Sequence, residues 1–357
     1  MIAPDSFKGS LDAMDVAAAL ADGWRRARPH DELTLLPQAD GGEGTLAVIA
    51  AATPDAVLRP AGDVTGPHGR AVPSHWLQLP DGTAVVELAQ ASGLPLMPRP
   101  DPLGATTRGL GETVAAALDA GASRLVIGLG GSASTDGGAG ALSALGMRLL
   151  DADDRPLGDG GGELARLTRI DASGMRPAPA DGVLLLSDVT APLLGPDGAA
   201  AVFGPQKGAD AGDVRTLDDA LAVWAGLLGG DPAVPGAGAA GGTGYGFHAA
   251  WGAGIESGAR AIAGLTGLTA AAASADLVMT GEGAFDATSL GGKVTGNVLA
   301  LAGDRTLIVA GRVDADPGVR SVSLTELAGS PGAALGDPAH WLREAAAQLA
   351  AWVSRNS

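Results

Sequence analysis

The stretch LVIGLGGSASTDGG, residues 125–138, joins a short apolar run to a glycine-rich turn that leads into an alanine-rich segment. An apolar run without alternating polar residues is typical of a strand that is buried on both faces. Comparable runs that end in Gly, Ser, Asp or Glu occupy residues 182–190, 276–286 and 306–313. Helical stretches, among them residues 109–122 and 138–150, alternate with these runs. The alternation predicts an α/β protein with a mainly parallel sheet.

Residues 57–104 follow a different pattern. The turn sequences TGPHG at residues 65–69 and PDG at residues 80–82 have a spacing that is typical of hairpins. We therefore expect antiparallel strands here, at the start of a second domain. Residues 229–246 are rich in Gly, Ala and Pro, which suggests either a linker or a loop close to a ligand.

Two amphipathic helices are expected near the chain ends. Residues 11–29 predict one helix, with Ser10 as its N-cap and Pro29 as its stop. Residues 340–353 predict another, whose apolar side chains recur at helical spacing. We expect this second helix to pack on its own domain, as amphipathic helices usually do.

The composition excludes several classes of function. The 357 residues carry a formal net charge of −17, whereas nucleic acids and anionic membranes bind basic surfaces. There is no cysteine, and the five histidines lack metal-ligand spacing. No apolar run has the length of a membrane span, and no signal peptide is visible. We expect a cytoplasmic enzyme, a monomer or homodimer, without nucleic-acid or membrane partners.

The placement of the lysines indicates an anionic ligand. The chain has 20 arginines but only three lysines, Lys8, Lys207 and Lys293, and each lysine lies in a short glycine-rich polar stretch. Lysine is a compact charge with mobile donors, which suits contact with a phosphate or carboxylate. The residues GLGGSA at 128–133 also match a loose dinucleotide fingerprint, and backbone amides at a helix start favour anions. A Walker A loop and the protein-kinase signatures are absent.

Seven acidic residues share these loops. One carboxylate at a strand end is as often a helix cap as a functional group, but seven beside three lysines favour a common site. Carboxylates together with nucleotide phosphates commonly hold Mg²⁺ in phosphoryl transfer, which also needs a base for the attacking hydroxyl. The seven are Asp5, Asp40, Glu43, Asp136, Asp188, Glu282 and Asp286.

Six motifs contain these charged residues. They are APDSFKGSL (3–11), ADGGEGT (39–45), GLGGSASTDGGAG (128–140), SDVTAPLLG (187–195), FGPQKGA (203–209) and TGEGAFDATSLGGK (280–293). In this order and spacing the motifs resemble the bacterial glycerate kinase family that includes the glyoxylate- and galactarate-pathway enzymes. One departure is Ala284, where the family commonly has an arginine.

The resemblance implies ATP-dependent phosphorylation of D-glycerate with Mg²⁺, most often giving 2-phosphoglycerate rather than 3-phosphoglycerate. It also implies two α/β domains with the reaction in the cleft between them. We expect a Rossmann- or flavodoxin-like domain with a mainly parallel sheet from residues 1–57 and 255–357. Residues 58–254 would form the inserted α/β domain, with some antiparallel strands.

The site residues follow from the motifs and from the charges within them. For catalysis we predict Asp188, Lys8, Lys207 and Asp286. For substrate and nucleotide binding we predict Asp5, Ser6, Gly130, Gly131, Ser132 and Lys293. For the metal we predict Asp40, Glu43 and Glu282. Asp188 is favoured as the base because it ends a strongly apolar strand, where partial desolvation would raise the pKa of its carboxyl.

Three other interpretations remain open. The first is a kinase for another small hydroxy acid, since Ala284 removes one possible anion contact. The second is a nucleotide-binding dehydrogenase, for which Asp151 and Asp153 lie at a suitable distance after the fingerprint. The third is a non-catalytic anion-binding protein, which would not need so many acids beside the lysines.

Overall fold

The computed structural model describes residues 1–356 of the chain. Its strands are β1 Val57–Thr65, β2 Ala71–Gln78, β3 Thr83–Glu87, β4 Arg124–Gly128, β5 Arg148–Leu150, β6 Arg169–Asp171, β7 Val183–Leu186, β8 Gly254–Glu256, β9 Val278–Phe285, β10 Thr306–Val313 and β11 Ser321–Ser323. Its α-helices are α1 Ala13–Ala27, α2 Thr45–Ala52, α3 Leu88–Ser92, α4 Arg108–Asp119, α5 Ala139–Ala144, α6 Ala199–Phe203, α7 Ala211–Leu228, α8 Ala239–Trp251, α9 Gly258–Thr266, α10 Leu268–Ser274, α11 Val294–Ala302, α12 Leu324–Ala328, α13 Pro331–Gly336 and α14 Pro338–Asn356.

The chain divides into two compact units. Unit 1 comprises residues 1–40, 47–53 and those from 258 onward, and unit 2 comprises residues 41–46 and 54–257. The short segment 41–46 therefore belongs to unit 2, although the residues on both sides of it belong to unit 1. The domain boundaries expected from the sequence stay a prediction.

Unit 2 is built around a six-stranded sheet of order β1-β2-β3-β4-β7-β8. β1, β2 and β3 pair antiparallel, and β3, β4, β7 and β8 pair parallel. The antiparallel strands lie within residues 57–104, as predicted. A separate antiparallel pair joins β5 and β6. The core of this unit includes Leu125 and Ile127 of β4, Leu185 of β7 and Trp224 of α7.

Unit 1 contains a three-stranded parallel sheet of order β11-β10-β9. Ile2 extends this sheet through single parallel bridges to Met279 of β9 and to Leu35. The two units together confirm a mixed α/β fold with mainly parallel sheet and some antiparallel strands. No helix within residues 1–356 is both long and apolar enough to span a membrane.

Two elements correct the expectations from sequence. The N-cap of α1 is Asp12, whose side chain accepts from the Asp15 amide, and not Ser10, whose hydroxyl donates to the Phe7 carbonyl. The predicted helix over 138–150 ends at Ala144, and Arg148–Leu150 forms β5 instead. The cause is Gly146, whose φ of 103° cannot continue a helix.

The glycine-rich residues 229–246 are not a linker between domains, because they lie within unit 2. Most of their second half belongs to α8. The second to fourth residues of this helix form a left-handed kink: Ala240 (φ 51°), Gly241 (φ 64°) and Gly242 (φ 88°). A Cβ on Gly241 would lie 2.1 Å from the Ser134 carbonyl oxygen. The glycines therefore allow this turn to pack directly against the loop that follows β4.

The first and last long helices pack together in unit 1. α14 buries Leu342, Ala345 and Leu349, which confirms that it packs on its own domain. α1 approaches α14 closely at Gly23, where a Cβ would lie 2.1 Å from the Arg343 carbonyl oxygen. A side chain larger than hydrogen at position 23 would force the two helices apart.

We predict that Gly23→Ala lowers the free energy of unfolding by about 1–3 kcal/mol, the usual cost of overpacking a close contact. The matched control is Gly264→Ala in α9 of the same unit, where a Cβ would meet nothing within 4 Å. This control should raise stability by about 0.5–1 kcal/mol through helix propensity. Urea unfolding measures both values, and equal effects of the two substitutions would contradict the close contact.

Candidate active site

The segment Ala3–Leu11 places the first predicted motif beside the sheet of unit 1. The amide of Ala3 donates to the Met279 carbonyl at 2.7 Å, and the amide of Asp5 donates to the Gly281 carbonyl at 2.9 Å. The segment therefore runs along β9 toward its C-terminal end, where loop residues of parallel sheets form ligand sites.

Asp5 is a buried carboxylate at this strand end. Burial raises the pKa of Asp5 to about 7, and the nearby Asp40 and Glu282 carboxylates contribute to the rise. The Ser6 amide, which donates to Asp5 Oδ1 at 2.7 Å, and the Lys8 ammonium oppose it. Four other predicted site residues of unit 1, Ser6, Lys8, Asp40 and Glu282, therefore affect the pKa of Asp5.

Lys8 and Asp40 form an ion pair in unit 1. Lys8 Nζ donates to Asp40 Oδ2 at 2.8 Å, and the Lys8 side chain is 73% exposed against 22% for Asp40. An exposed pair of this kind contributes about 0–1 kcal/mol to folding. The lysine therefore keeps an ammonium group that an incoming anion can contact.

Glu282 lies within β9 and is buried. Burial raises the pKa of its carboxyl, and the nearby hydroxyls of Ser289 and Thr295 and the Lys293 ammonium reduce the rise. Within residues 1–356, Glu282 Oε1 has no hydrogen-bond partner. A buried carboxylate oxygen without a partner is costly, so a ligand at this oxygen would lower the cost.

The loop after β9 carries Asp286 and Lys293. Asp286 Oδ1 accepts from both the amide and the hydroxyl of Thr288, at 2.7 and 2.6 Å, which lowers the pKa of Asp286. Lys293 Nζ donates to the Thr288 hydroxyl at 2.8 Å, and Lys293 is the N-cap residue of α11. Thr288 thus joins the two predicted residues.

In unit 2, the loop Gly41–Leu46 lies on the C-terminal ends of the parallel strands. The Gly130 amide donates to the Gly41 carbonyl at 3.0 Å. A Cβ on Gly128 would lie 2.4 Å from the Gly41 carbonyl oxygen, and a Cβ on Gly130 would lie 2.4 Å from Gly42 Cα. These glycines are required for the close approach of two backbones. The predicted role of Gly130 in nucleotide binding stays a prediction.

Glu43 lies next to Gly131. Its Oε1 and Cγ atoms are 3.5 and 3.8 Å from the position of a Cβ on Gly131, whose φ is 75°. The next residue, Ser132, is buried, and its hydroxyl donates to the Ser134 carbonyl at 3.2 Å. The structure therefore brings Glu43, Gly131 and Ser132 together at the end of β4.

Sequence reasoning missed Glu87, the last residue of β3. Its Oε1 accepts from the Gly44 amide at 3.1 Å and its Oε2 from the Leu46 amide at 3.2 Å. Burial raises the pKa of Glu87 to about 7, and the backbone amides oppose the rise. The available signal was a charged residue directly after the apolar run of a buried strand.

Lys207 differs from the other two lysines because it is only 2% exposed. Its ammonium donates to the Ser134 carbonyl, and Ser132 Oγ lies at 3.4 Å. Burial lowers the pKa of Lys207 to about 8, and the Asp136 carboxylate opposes this change. Lys207 thus binds the loop after β4 within the protein, and its catalytic role stays a prediction.

Asp136 is completely buried and has a structural role. Its carboxylate accepts from the amide and hydroxyl of Thr107 at 2.9 and 2.8 Å, and from the amides of Gly138 and Gly140 at 3.2 Å each. It therefore stabilises the starts of α4 and α5. For this acid the helix-cap interpretation is the better one.

Asp188 lies two residues after the end of β7 and is exposed. The desolvation argument that favoured Asp188 as the base is therefore wrong, since an exposed carboxylate is not desolvated by burial. Its role as base stays a prediction. The predicted metal ligands are divided between the units, with Asp40 and Glu282 in unit 1 and Glu43 in unit 2. Among residues 1–356 no group of three or more His, Cys, Asp or Glu side chains has the geometry of a metal site.

The fold is that of an α/β protein with carboxylates and lysines at its strand ends, and comparisons with known proteins show its class. The model of the glycerate kinase family matches residues 1–354. The glycerate 2-kinase of Escherichia coli (strain K12) is 43% identical over 333 residues, which cover 89% of this chain and 86% of that protein. The glycerate kinase of Bacillus subtilis (strain 168) is 44% identical over 304 residues, 82% and 78% of the two chains.

A solved structure agrees with these relatives. The crystal structure of putative glycerate kinase 2 from Salmonella typhimurium LT2 superposes with a TM-score of 0.82 at 38% identity, covering 99% of this chain and 98% of that chain. The chain belongs to the glycerate kinase family. The chain is therefore an enzyme of the kinase class. This finding confirms the family resemblance, and it does not support the dehydrogenase or the non-catalytic interpretation.

We predict a pH-dependent cost of burying Lys207. Its pKa of about 8 lies below the ordinary 10.5, so the folded state holds fewer protons than the unfolded state between these values. The cost of burying the ammonium is absent above about pH 10.5, where Lys207 is neutral in both states. Stability is lost as the pH falls from there through about 8, where the folded state also becomes protonated. Relative to Lys207→Met, the wild type should gain about 3 kcal/mol of unfolding free energy from pH 8 to 10.5. Parallel stability curves in chemical denaturation would contradict the prediction.

Proposed function

We propose that the enzyme transfers the γ-phosphoryl group of ATP to D-glycerate, with Mg²⁺, and forms 2-phosphoglycerate. The observation that carries the proposal is the cluster in unit 1 of Asp5, Lys8, Asp40 and Glu282 at the end of β9. Carboxylates and an ammonium group at one strand end are the groups that phosphoryl transfer needs.

The relatives support the substrate. The E. coli relative is named a glycerate 2-kinase and the B. subtilis relative a glycerate kinase. Because both relatives are more than 40% identical to this chain over most of their length, we infer that glycerate is also the phosphoryl acceptor of this enzyme. The name of the E. coli relative favours the 2-phosphate over the 3-phosphate product. The second candidate is another small hydroxy acid, because Ala284 stands in β9 where the family commonly has an arginine.

The lysines have different proposed roles. The exposed ammonium of Lys8 contacts an anionic oxygen of substrate or nucleotide, and Lys293, at the start of α11, contacts another. Positive charge here must be local, since the whole chain carries −17. Lys207 assists catalysis from within unit 2 by fixing the loop of Ser132 and Ser134.

The chemistry of one buried carboxylate suits a magnesium ion. Glu282 Oε1 is buried without a partner, and a hard oxygen of this kind is what Mg²⁺ prefers. Asp40, Glu43 and Glu282 are the proposed ligands, and the ion would neutralise charge on the phosphates. We propose that Asp188 accepts the proton of the hydroxyl and that Asp286 shapes the loop that carries Lys293.

The remaining contacts are those of the backbone and of short side chains. Asp5 and Ser6 bind substrate in unit 1, and Gly130, Gly131 and Ser132 contact the nucleotide in unit 2. That the two domains form one cleft stays a prediction, and so does the location of the enzyme in the cytoplasm.

The proposal predicts that the purified enzyme forms ADP and phosphoglycerate from D-glycerate and Mg-ATP. Chelation with excess EDTA should abolish turnover, since the metal neutralises phosphate charge. A coupled assay with D-glycerate and a panel of other small hydroxy acids measures both points, and NMR of the product separates the 2- from the 3-phosphate. Turnover in excess EDTA would contradict the metal. Turnover of another hydroxy acid alone would favour the second candidate.

We further predict that Lys8→Met lowers kcat/KM about ten- to hundredfold, because a charge-assisted bond to a bound anion contributes roughly 1.5–3 kcal/mol. The free energy of unfolding should change by less than about 1 kcal/mol. The matched control is Arg26→Met, which removes the exposed ion pair of Arg26 with Glu344, at 2.6 Å in the same unit. The control should leave kcat/KM within about twofold. A similarly small effect of Lys8→Met would contradict a contact between Lys8 and a bound anion.

A further inference from the structure

A buried carboxylate in unit 2 joins two parts of the chain that lie far apart in sequence. Glu87 is 5% exposed and ends β3, yet its two oxygens accept from the amides of Gly44 and Leu46, more than 40 residues earlier. Gly44 is the residue before α2, and Leu46 is the second residue of this helix. Amides at a helix start have no acceptor within the helix, so a carboxylate there satisfies them.

The loop Gly41–Leu46 is held at both of its ends. At its first end, the backbone of Gly41 and Gly42 lies against Gly128 and Gly130 of the β4 end. At its second end, Glu87 accepts from the loop amides. The Thr45 hydroxyl also donates to the Gly42 carbonyl at 2.7 Å and closes the loop internally.

Glu43 lies between these two attachments. Its side chain lies over Gly131, with Oε1 3.5 Å from the Cβ position there. Glu43 itself is exposed. The two attachments therefore fix its backbone and the point from which its side chain reaches over Gly131, and loss of either attachment would move that point.

We propose that Glu87 is a positioning residue for phosphoryl transfer, whose carboxylate fixes the loop Gly41–Leu46 and through it the carboxylate of Glu43. The role rests on the proposed function. It requires a carboxylate at position 87, because two amide donors need two acceptor oxygens. A glutamine offers one acceptor and directs an NH₂ group at the second amide, and an aspartate has a shorter reach.

The first test measures the loop without measuring activity. Hydrogen exchange of the Gly44 and Leu46 amides, followed by NMR or mass spectrometry, should be at least about tenfold faster in Glu87→Gln than in the wild type. Amides of α7 in the same unit serve as an internal reference for global unfolding. If Glu87→Gln does not fold, Glu87→Asp keeps the charge and tests the reach. Unchanged exchange at both amides would overturn the proposal.

The chain offers a matched control in Glu112 of α4. Its Oε2 accepts from the Thr65 amide at 2.6 Å and its Oε1 from the Thr65 hydroxyl at 2.9 Å. Glu112→Gln therefore makes the same chemical change at another carboxylate that holds backbone in unit 2. It should leave the exchange of the loop Gly41–Leu46 and the kcat of the enzyme unchanged within about twofold. Equal effects of both variants would reduce Glu87 to a general stabilising role and overturn the proposal.

The second test separates positioning from folding. Glu87→Gln should lower kcat at least about tenfold with KM for both substrates within about twofold, because it misplaces a group and removes no substrate contact. In a Glu43→Gln background, Glu87→Gln should add less than about a twofold loss, since the carboxylate that it positions is already gone. A full tenfold loss in that background would overturn the link through Glu43. If the wild type does not phosphorylate glycerate, the proposed function fails, while the exchange test still decides whether Glu87 holds the loop.

Discussion

The close approach of Gly41 and Gly42 to Gly128 and Gly130 is the constraint on which the unit 2 part of the candidate site depends. A Cβ at either of the latter positions would lie 2.4 Å from backbone atoms of the loop. Real Cβ atoms do not approach so closely, because atoms at that distance overlap. Only glycine at the end of β4 therefore lets residues 41–46 lie on the sheet of unit 2. This requirement accounts for the glycines at positions 128 and 130, which belong to the pattern that resembles a dinucleotide fingerprint.

The same device recurs elsewhere in the fold. A Cβ on Gly111 of α4 would lie 2.2 Å from the Ala141 carbonyl oxygen of α5, and one on Gly246 of α8 would lie 2.3 Å from the Gly137 carbonyl oxygen. The chain has 57 glycines and only 3% aromatic residues. With few large side chains to fill space, its elements pack by bringing backbones together. Dispersion contacts between close backbones replace part of the packing that bulky side chains give other cores.

The elements were predictable from sequence where one physical signal dominates. The apolar runs predicted β4, β7, β9 and β10, because a strand that is buried on both faces consists of nearly continuous apolar residues. The cap of α1 was misplaced because Ser10 and Asp12 are both good caps, and the choice depends on where the chain turns. The break at Gly146 was missed because an isolated glycine is tolerated in helical patterns. The motifs predicted the family, but burial depends on contacts between distant residues. The burial of Lys207, the exposure of Asp188 and the link from Glu87 were therefore beyond local reasoning.

The buried ionisable groups of unit 2 share a feature that no motif shows. Asp136, Glu87 and Lys207 bind mainly backbone amides and carbonyls, and none of them forms an ion pair within 4.0 Å among the described residues. A buried charge costs free energy unless it is fully hydrogen-bonded, so each of these groups favours the loop geometry that satisfies it over looser ones. The loops concerned are those after β4 and before α2, which carry Ser132 and Glu43. The buried charges at the strand ends therefore cost stability and favour the loop conformations in which they are hydrogen-bonded.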